Sequence, residues 1–513
     1  MNKYFNLFDF SQKVNYKNEI LAGLTVAMTM IPESLMFAII VGFDPLVGLY
    51  GAFIMGLVTA IFGGRPGLIS GGAGATAVIF MVLMKSHGIE YVFASIIIAG
   101  SIQLIVGFLK LGKFIRLVPQ PVMFGFVNGL AIIIFMAQIK QFKTGIAESA
   151  PWMTGTPMFI MAGLVALTIG LIIVIPKITK AAPASLIAIV VVFAIVYFSG
   201  IDTKKIIDIA SVDGGFPKFH IPEIDFTWET LKVVMPYGLI MAAVGLTEGL
   251  LTLNLVDEIT ETKGNSNREC LAQGGANILN GFFGGMGGCP MIAQTLVNLS
   301  AGSRARLSGI VAALTILLII LVGAPVIDKM PIAALVGVMI MVAIGTFEWA
   351  SFKAMRRMPK SDIFVMILVT AITVILHDLA TAVLIGVIIS ALVFAWESAK
   401  RIRARKYVDE QGIKHYEIYG PLFFGSVTTF NEKFDVANDP EEVIIDFQES
   451  RVSDMSAIEA LNKLTERYLQ AGKKLHLKHL SPDCITLLEN AEKVIDVNVM
   501  EDPTYRVVVD KRQ

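Results

Sequence analysis

Residues 283–302 read FGGMGGCPMIAQTLVNLSAG. The stretch is apolar enough for a lipid bilayer. Gly284, Gly285, Gly287, Gly288 and Pro290 nevertheless break its front, so a helix runs only from about Met291. Non-helical backbone is tolerated at membrane depth only where protein buries it or where it lines a cavity. A short helix starting there points free N–H groups and a partial positive charge into that space. Such a start is a ready place for an anion. Residues 62–80, FGGRPGLISGGAGATAVIF, repeat the design: Phe-Gly-Gly, a glycine cluster at Gly71, Gly72 and Gly74, then an apolar run. Two interrupted segments in corresponding places of two halves mark the binding site of a secondary transporter. The plainer alternative is a pair of glycine-rich packing helices.

The rest of the chain suits a membrane. Of its 513 residues 55% are hydrophobic and only 16% charged, and mean hydropathy is +0.69, beyond what soluble domains show. Fourteen apolar spans are expected. Seven lie near residues 19–41, 45–62, 74–84, 91–109, 118–139, 157–175 and 183–198. A polar connection over 200–230 follows. Seven more lie near 231–256, 271–283, 291–300, 307–322, 332–344, 363–375 and 379–396. Pro32 is expected to interrupt the first span and Pro236 the eighth. An even count puts both termini on one side. Basic residues crowd one set of loops (Lys110, Lys177, Arg268, Arg306 and Arg356 among them), while the opposite set holds fewer, including Lys85, Lys140, Lys143 and Lys329. The positive-inside rule makes the richer side, and both ends, cytoplasmic. Residues 1–18 read as an interfacial lead-in with no cleaved signal peptide.

Cys270, Cys289 and Cys484 are far apart and give neither a disulfide framework nor a metal spacing. His476 and His479 fall in an alternating run that points them to opposite faces. The glycine clusters lack GxxxxGK[ST] and no soluble strand precedes them, so no nucleotide loop is expected. A net charge of +0 names no partner, and no nucleic-acid partner is expected. With no nucleophile–base pair either, the chain does not read as an enzyme.

Two carboxylates fall inside spans, Glu33 and Glu248. Ionisable groups at membrane depth are costly and functional by default. Thr29 lies four residues before Glu33 and Thr252 four after Glu248, on the same helix face in each case. Carboxylate, hydroxyl and loose carbonyls could ligate Na+; a carboxylate of raised pKa could instead carry H+. A buried Glu hydrogen-bonded to backbone is the structural alternative.

Past a basic run at 400–406 the composition turns soluble. A strand over 443–447, a helix over 456–471, a strand over 475–480 and a helix near 485–488 suggest a small α/β domain at 415–513 after a linker at 400–414.

At this point the chain resembles a bacterial member of the sulfate permease (SulP) family of anion transporters. The residues that carry the resemblance are PESLMFA at 32–38, PLVGLYGA at 45–52, NSNRE at 265–269 and RLSG at 306–309. The tail resembles a STAS domain, with Asp454-Met455-Ser456-Ala457 at its D-x-S-[GA] turn. The resemblance implies two inverted seven-segment repeats (about 19–199 and 231–399), a core and a gate domain, and a homodimer in the inner membrane with a cytoplasmic STAS domain. It implies an anion site at Ala73, Gly74, Ala75 and Thr76 of the third segment and Pro290, Met291, Ile292 and Gln294 of the tenth. It implies cation coupling at Glu248 and Thr252, with Na+ possible there, and Glu33 as a second acidic group. Glu33 stands where the family more often has Gln, and Gln294 where many members have Arg. Two helix starts, each about half a charge, then suit a monovalent anion better than a dianion, which favours bicarbonate slightly over sulfate. Ser456 stands where related modules are phosphorylated; a plain N-cap serine is the alternative. No cofactor is implied beyond a coupling Na+ or H+. Two other functions stay open: a nucleobase–proton symporter of the same fold, and a membrane-anchored signalling scaffold working through its tail.

Overall fold

The computed structural model describes residues 15–112, 119–145, 150–178, 183–209, 211–212, 215–225, 227–376 and 379–480. Residues 1–14, Cys484 and the helix expected near 485–488 lie outside them. The chain divides into two compact units, Met1–Val387 and Ile388–Gln513.

In the first unit the chain runs α1 (Tyr16–Val41), α2 (Pro45–Phe62), β1 (Ser70–Gly72), α3 (Gly74–His87), α4 (Ile89–Phe108), α5 (Gln120–Lys140), α6 (Thr156–Ile178) and α7 (Ala184–Ser199). The second half follows as α8 (Trp228–Thr260), α9 (Ser266–Phe282), β2 (Gly288–Pro290), α10 (Ile292–Ser300), α11 (Leu307–Val322), α12 (Ala324–Ile327), α13 (Ile332–Thr346), α14 (Ala350–Met355) and α15 (Lys360–Leu376), and α16 (Leu379–Ala399) runs from the first unit into the second. Each expected span coincides with one helix; α12 and α14 are short additions. Eight of the described helices are long and apolar enough to cross a membrane, and α3, α7 and α11 are shorter apolar helices. Both halves hold the same special unit, a three-residue strand leading into a short helix.

The expected interruptions at Pro32 and Pro236 are absent. Helices α1 and α8 run straight through both prolines. A membrane helix tolerates one lost backbone bond when neighbouring elements re-satisfy the freed group, and both helices are packed in the interior of the unit. The breaks lie instead at β1 and β2, where consecutive glycines leave the backbone free to extend.

Helices α1–α4 pack with α8–α11, and α5–α7 pack with α13 and α15. These two groups correspond to the expected core and gate, and lighter contacts of α1 with α13 and α3 with α5 join them. Small residues let α4 and α9 cross closely. A Cβ on Gly100 would sit 2.6 Å from the carbonyl oxygen of Gly274, and a Cβ on Gly274 equally close to that of Gly100. Close backbone approach of this kind replaces the hydrophobic drive that lipid removes.

The sequence signatures at 265–269 and 306–309 clamp one end of the core. Arg306 donates to the carbonyls of Ala60 (3.0 Å) and Gly63 (2.7 Å), and Arg268 Nε to that of Phe62 (2.8 Å). Both guanidinium groups thus satisfy the last carbonyls of α2 and oppose its negative dipole end. Glu269 accepts from the Gly64 N–H at 2.7 Å. Glu19 accepts from the N–H groups of Arg304, Ala305 and Ser308 at 2.7, 2.9 and 3.0 Å. The first half is therefore pinned to the second by charge-assisted bonds.

In the second unit β3 (Arg403–Val408), β4 (Lys414–Leu422), β5 (Glu442–Val452) and β6 (Lys474–Lys478) form one sheet in that order. The β3–β4 pair is antiparallel; β4–β5 and β5–β6 are parallel. Residues 400–414, expected as a linker, thus supply an edge strand, Arg403–Val408, which pairs with β4 from Tyr419 back to Lys414. Helices α17 (Val427–Asn431) and α18 (Met455–Gln470) complete the described part. Tyr416, Ile418, Ile445, Phe447, Leu461 and Tyr468 lie in its core. Asp454, not Ser456, caps α18: its side chain accepts from the Ala457 N–H at 2.9 Å and from the Phe424 N–H at 2.8 Å. Ser456 is exposed in the first turn of that helix.

Candidate functional site

The two breaks meet. Strands β1 and β2 pair antiparallel, with Ser70 opposite Pro290, Gly71 opposite Cys289 and Gly72 opposite Gly288. Helices α3 and α10 therefore leave opposite ends of one short ladder. Their N-caps, Ala73 and Met291, are extended and offer no side-chain cap. An alanine and a methionine cannot accept the first-turn N–H bonds that Ser, Thr or Asp would take. The amides of Gly74, Ala75 and Thr76 on one side, and of Ile292 and Gln294 on the other, belong to these uncapped turns. Ala73, Cys289 and Met291 pack together as one buried cluster. The structure thus brings Ala73 beside Met291 and pairs the strand before α3 with the strand before α10.

Thr76 ties the two breaks directly. Its hydroxyl lies 2.8 Å from both the Ala73 and the Gly287 carbonyls. Ile69 adds a second tie: its carbonyl accepts from the Met291 N–H at 2.9 Å, and its own N–H donates to Thr295 Oγ1 at 3.0 Å. Two apolar side chains that the sequence did not single out cover the start of α3. A Cβ on Gly74 would lie 2.8 Å from the Phe37 ring and 3.1 Å from Ile134 Cδ1. Phe37 comes from α1 and Ile134 from α5, so core and gate both close on this glycine. Phe37 falls one helical turn after Glu33, which is the signal that could have found it.

The carboxylates flank the second break. Glu248 Oε2 accepts from the Cys289 thiol at 3.1 Å. Glu33 Oε2 accepts from Gln294 Nε2. The Gln294 side chain is therefore bound to Glu33, and it is its backbone that belongs to the α10 turn. Neither threonine donates to its neighbouring carboxylate. The Thr29 hydroxyl bonds to the Val26 carbonyl (2.8 Å) and that of Thr252 to the Glu248 carbonyl (2.7 Å). Their oxygens keep lone pairs. Neither Glu33 nor Glu248 forms an ion pair among the described residues. No cluster of three His, Cys, Asp or Glu side chains suited to a metal occurs among them.

A buried amide layer lies behind β2. Asn277 bonds to both the N–H and the carbonyl of Gly288, and to Gln103. Sequence reasoning missed both amides; a polar amide inside an apolar span was the available signal.

Paired broken helices in a two-group bundle, followed by an α/β sheet domain, define a polytopic helical membrane protein of the transporter type. The family model "Sulfate permease family" matches residues 16–370, and the STAS domain model matches residues 405–506. The chain belongs to the sulfate permease family. It is 40% identical to "Putative sulfate transporter YbaR" of Bacillus subtilis (strain 168), over 93% of this chain and 97% of that one. It is 26% identical to "Bicarbonate transporter BicA" of Synechocystis, over 91% of this chain and 89% of that one. The solved transmembrane domain of a cyanobacterial bicarbonate transporter BicA aligns at TM-score 0.63 and 28% identity, covering 72% of this chain and 98% of that one. The structure of SLC26A9 aligns at TM-score 0.80 and 17% identity, over 95% of this chain and 89% of that one, a likeness of fold.

Proposed function

We propose that the chain carries a small inorganic anion, bicarbonate or sulfate, across the inner membrane by secondary active transport. The anion sits between the starts of α3 and α10, and a Na+ or H+ at Glu248 and Thr252 offsets its charge. Glu33 is a second acidic group that can take up a cation. One observation carries this reading: two uncapped helix starts meet at the β1–β2 ladder beside carboxylates that no cationic side chain among the described residues neutralises. Backbone dipoles supply the field that holds the anion. An ionised carboxylate would repel the anion unless a proton or Na+ came with it, which couples the two fluxes. Movement of the α1–α4/α8–α11 group against the gate would give alternating access. Relatives named for sulfate and for bicarbonate support either anion, and about half a positive charge per helix start favours the monovalent one. The protein works as a homodimer with both termini and the STAS domain in the cytoplasm.

Uptake of labelled bicarbonate and sulfate into proteoliposomes, with and without a Na+ or H+ gradient, tests the reading. Gradient-dependent anion uptake is expected. Glu248→Gln should flatten the dependence on the coupling cation. No anion flux under any gradient, or uptake competed by uracil, overturns it.

A further inference from the structure

Gly288 lies in the second break, and a side chain holds both its N–H and its carbonyl from outside the ladder. Asn277 Nδ2 donates to the Gly288 carbonyl at 3.1 Å, and the Gly288 N–H donates to Asn277 Oδ1 at 2.9 Å. A carboxamide carries the same donor and acceptor as a peptide group. Asn277 therefore stands in for a third strand on the free edge of β2. Gln103 Oε1 accepts from the same Asn277 Nδ2 at 2.9 Å, which orients the amide. Asn277 and Gln103 are both fully buried.

Both amides sit on an unyielding support. Asn277 belongs to α9 and Gln103 to α4, the helices that the Gly100–Gly274 contact locks together. On the other side of Gly288 the links run into the candidate site. The next residue, Cys289, donates to Glu248. The preceding carbonyl, Gly287, accepts from Thr76 at the start of α3. The residue that Asn277 grips, through both flanking peptides, thus lies between the group proposed to take the cation and the helix starts proposed to take the anion.

We infer that Asn277 is a positioning residue for coupled transport. It fixes the Gly288 backbone so that the Cys289 thiol meets Glu248 while α10 starts at the anion. The inference rests on the proposed coupling role of Glu248. Without the amide, the Gly288 backbone can turn, since glycine resists rotation least. Cation and anion sites would then lose register while the helices stayed packed.

Asn277→Asp in the full-length protein tests this. The aspartate is isosteric and keeps an acceptor for the Gly288 N–H. Ionised, it has no donor for the Gly288 carbonyl or for Gln103; protonated, its O–H restores one. Among the described residues, Cys289 on β2 follows Gly288 directly and is bonded to Glu248 on α8. Helix α2 carries Tyr50, α4 carries Glu90 and Tyr91 in its first turn, and α9 itself carries Arg268, Glu269 and Cys270 about two turns back. Flux of the variant is divided by wild-type flux at each pH, which removes the pH dependence the two share. The ratio should rise about tenfold or more on acidification, the scale of one charge-assisted hydrogen bond. Asn277→Ser, whose hydroxyl is too short to bridge both Gly288 groups and does not titrate, should lose flux at every pH and need a higher cation concentration for half-maximal rate. A pH-independent ratio for Asn277→Asp, or wild-type cation dependence in both variants, overturns the inference. A wild-type protein without cation-dependent flux fails the transport reading first, so the two failures are told apart.

Discussion

Glu33 in the membrane unit and Asp439 in the α/β unit are almost equally buried, 7% and 4% exposed. Their surroundings differ. Asp439 is bonded by Lys414 Nζ, by Tyr416 Oη at 2.8 Å and by Tyr468 Oη. Glu33 has one neutral donor, Gln294. Burial alone would push the Asp439 carboxyl up, but bonds from Lys414, Tyr468 and Tyr416 hold it below the usual carboxylate range. The same bond holds the Lys414 ammonium above its ordinary value against the effect of burial. A carboxylate given three donors, one of them cationic, is committed to staying charged. One given a single amide at membrane depth must find its compensation elsewhere, and a transported cation is such a source. Saturated bonding marks a structural carboxylate here; sparse bonding is what the proposed coupling role of Glu33 calls for.

Asp439→Asn tests the saturated end and should have the largest effect. It strands the Lys414 ammonium and costs about 3 kcal/mol or more, the usual result of removing one partner of a buried pair. Hydrogen exchange of the β4 and β5 amides in the full chain reads this out. The pH dependence has a definite sign. Because the folded value of Asp439 is depressed, its stabilisation is complete above the unfolded value, about 3.9. It fades as pH falls through the folded value below that. The α/β unit should therefore loosen below about pH 4 in the wild type, and the Asn variant should lack this contribution.

Glu19→Gln probes an intermediate case. Glu19 serves three backbone N–H groups at the clamp between the halves, so the change should lower the thermal midpoint in detergent by the equivalent of about 1–3 kcal/mol. An unchanged midpoint would show that the clamp is dispensable.

Glu33→Gln should do least to stability. It removes a charge that the fold compensates poorly, so the midpoint should stay within about 1 kcal/mol or rise. The cation dependence of uptake should change all the same. A large loss of stability would place Glu33 with Asp439 and erase the distinction.

Much of this was legible in the chain. Fourteen apolar runs, two glycine-rich breaks and the basic loops follow from local composition, because lipid requires each span to satisfy its own backbone. The residues of the two breaks were legible for the same reason: glycine runs and Pro290 cannot continue a helix. The continuity of α1 through Pro32 and of α8 through Pro236 was not, since tolerance of a proline depends on neighbours far away in sequence. Nor was β3 within residues 400–414, whose strand character needs β4 beside it. The cap of α18 could be read from Asp454 three residues before Ala457, but Ser456 competed for the same role.

The sequence by itself determined that two interrupted helices exist and that acidic residues lie inside spans, because backbone satisfaction and hydrophobicity are local properties. Only the tertiary structure decided that the breaks pair through β1 and β2, that Gln294 bonds to Glu33, that Cys289 bonds to Glu248, and that Asn277 holds Gly288. Those contacts join residues from 11 to 261 positions apart. They arise because backbone leaving a helix inside a membrane must be satisfied by whatever the fold brings beside it.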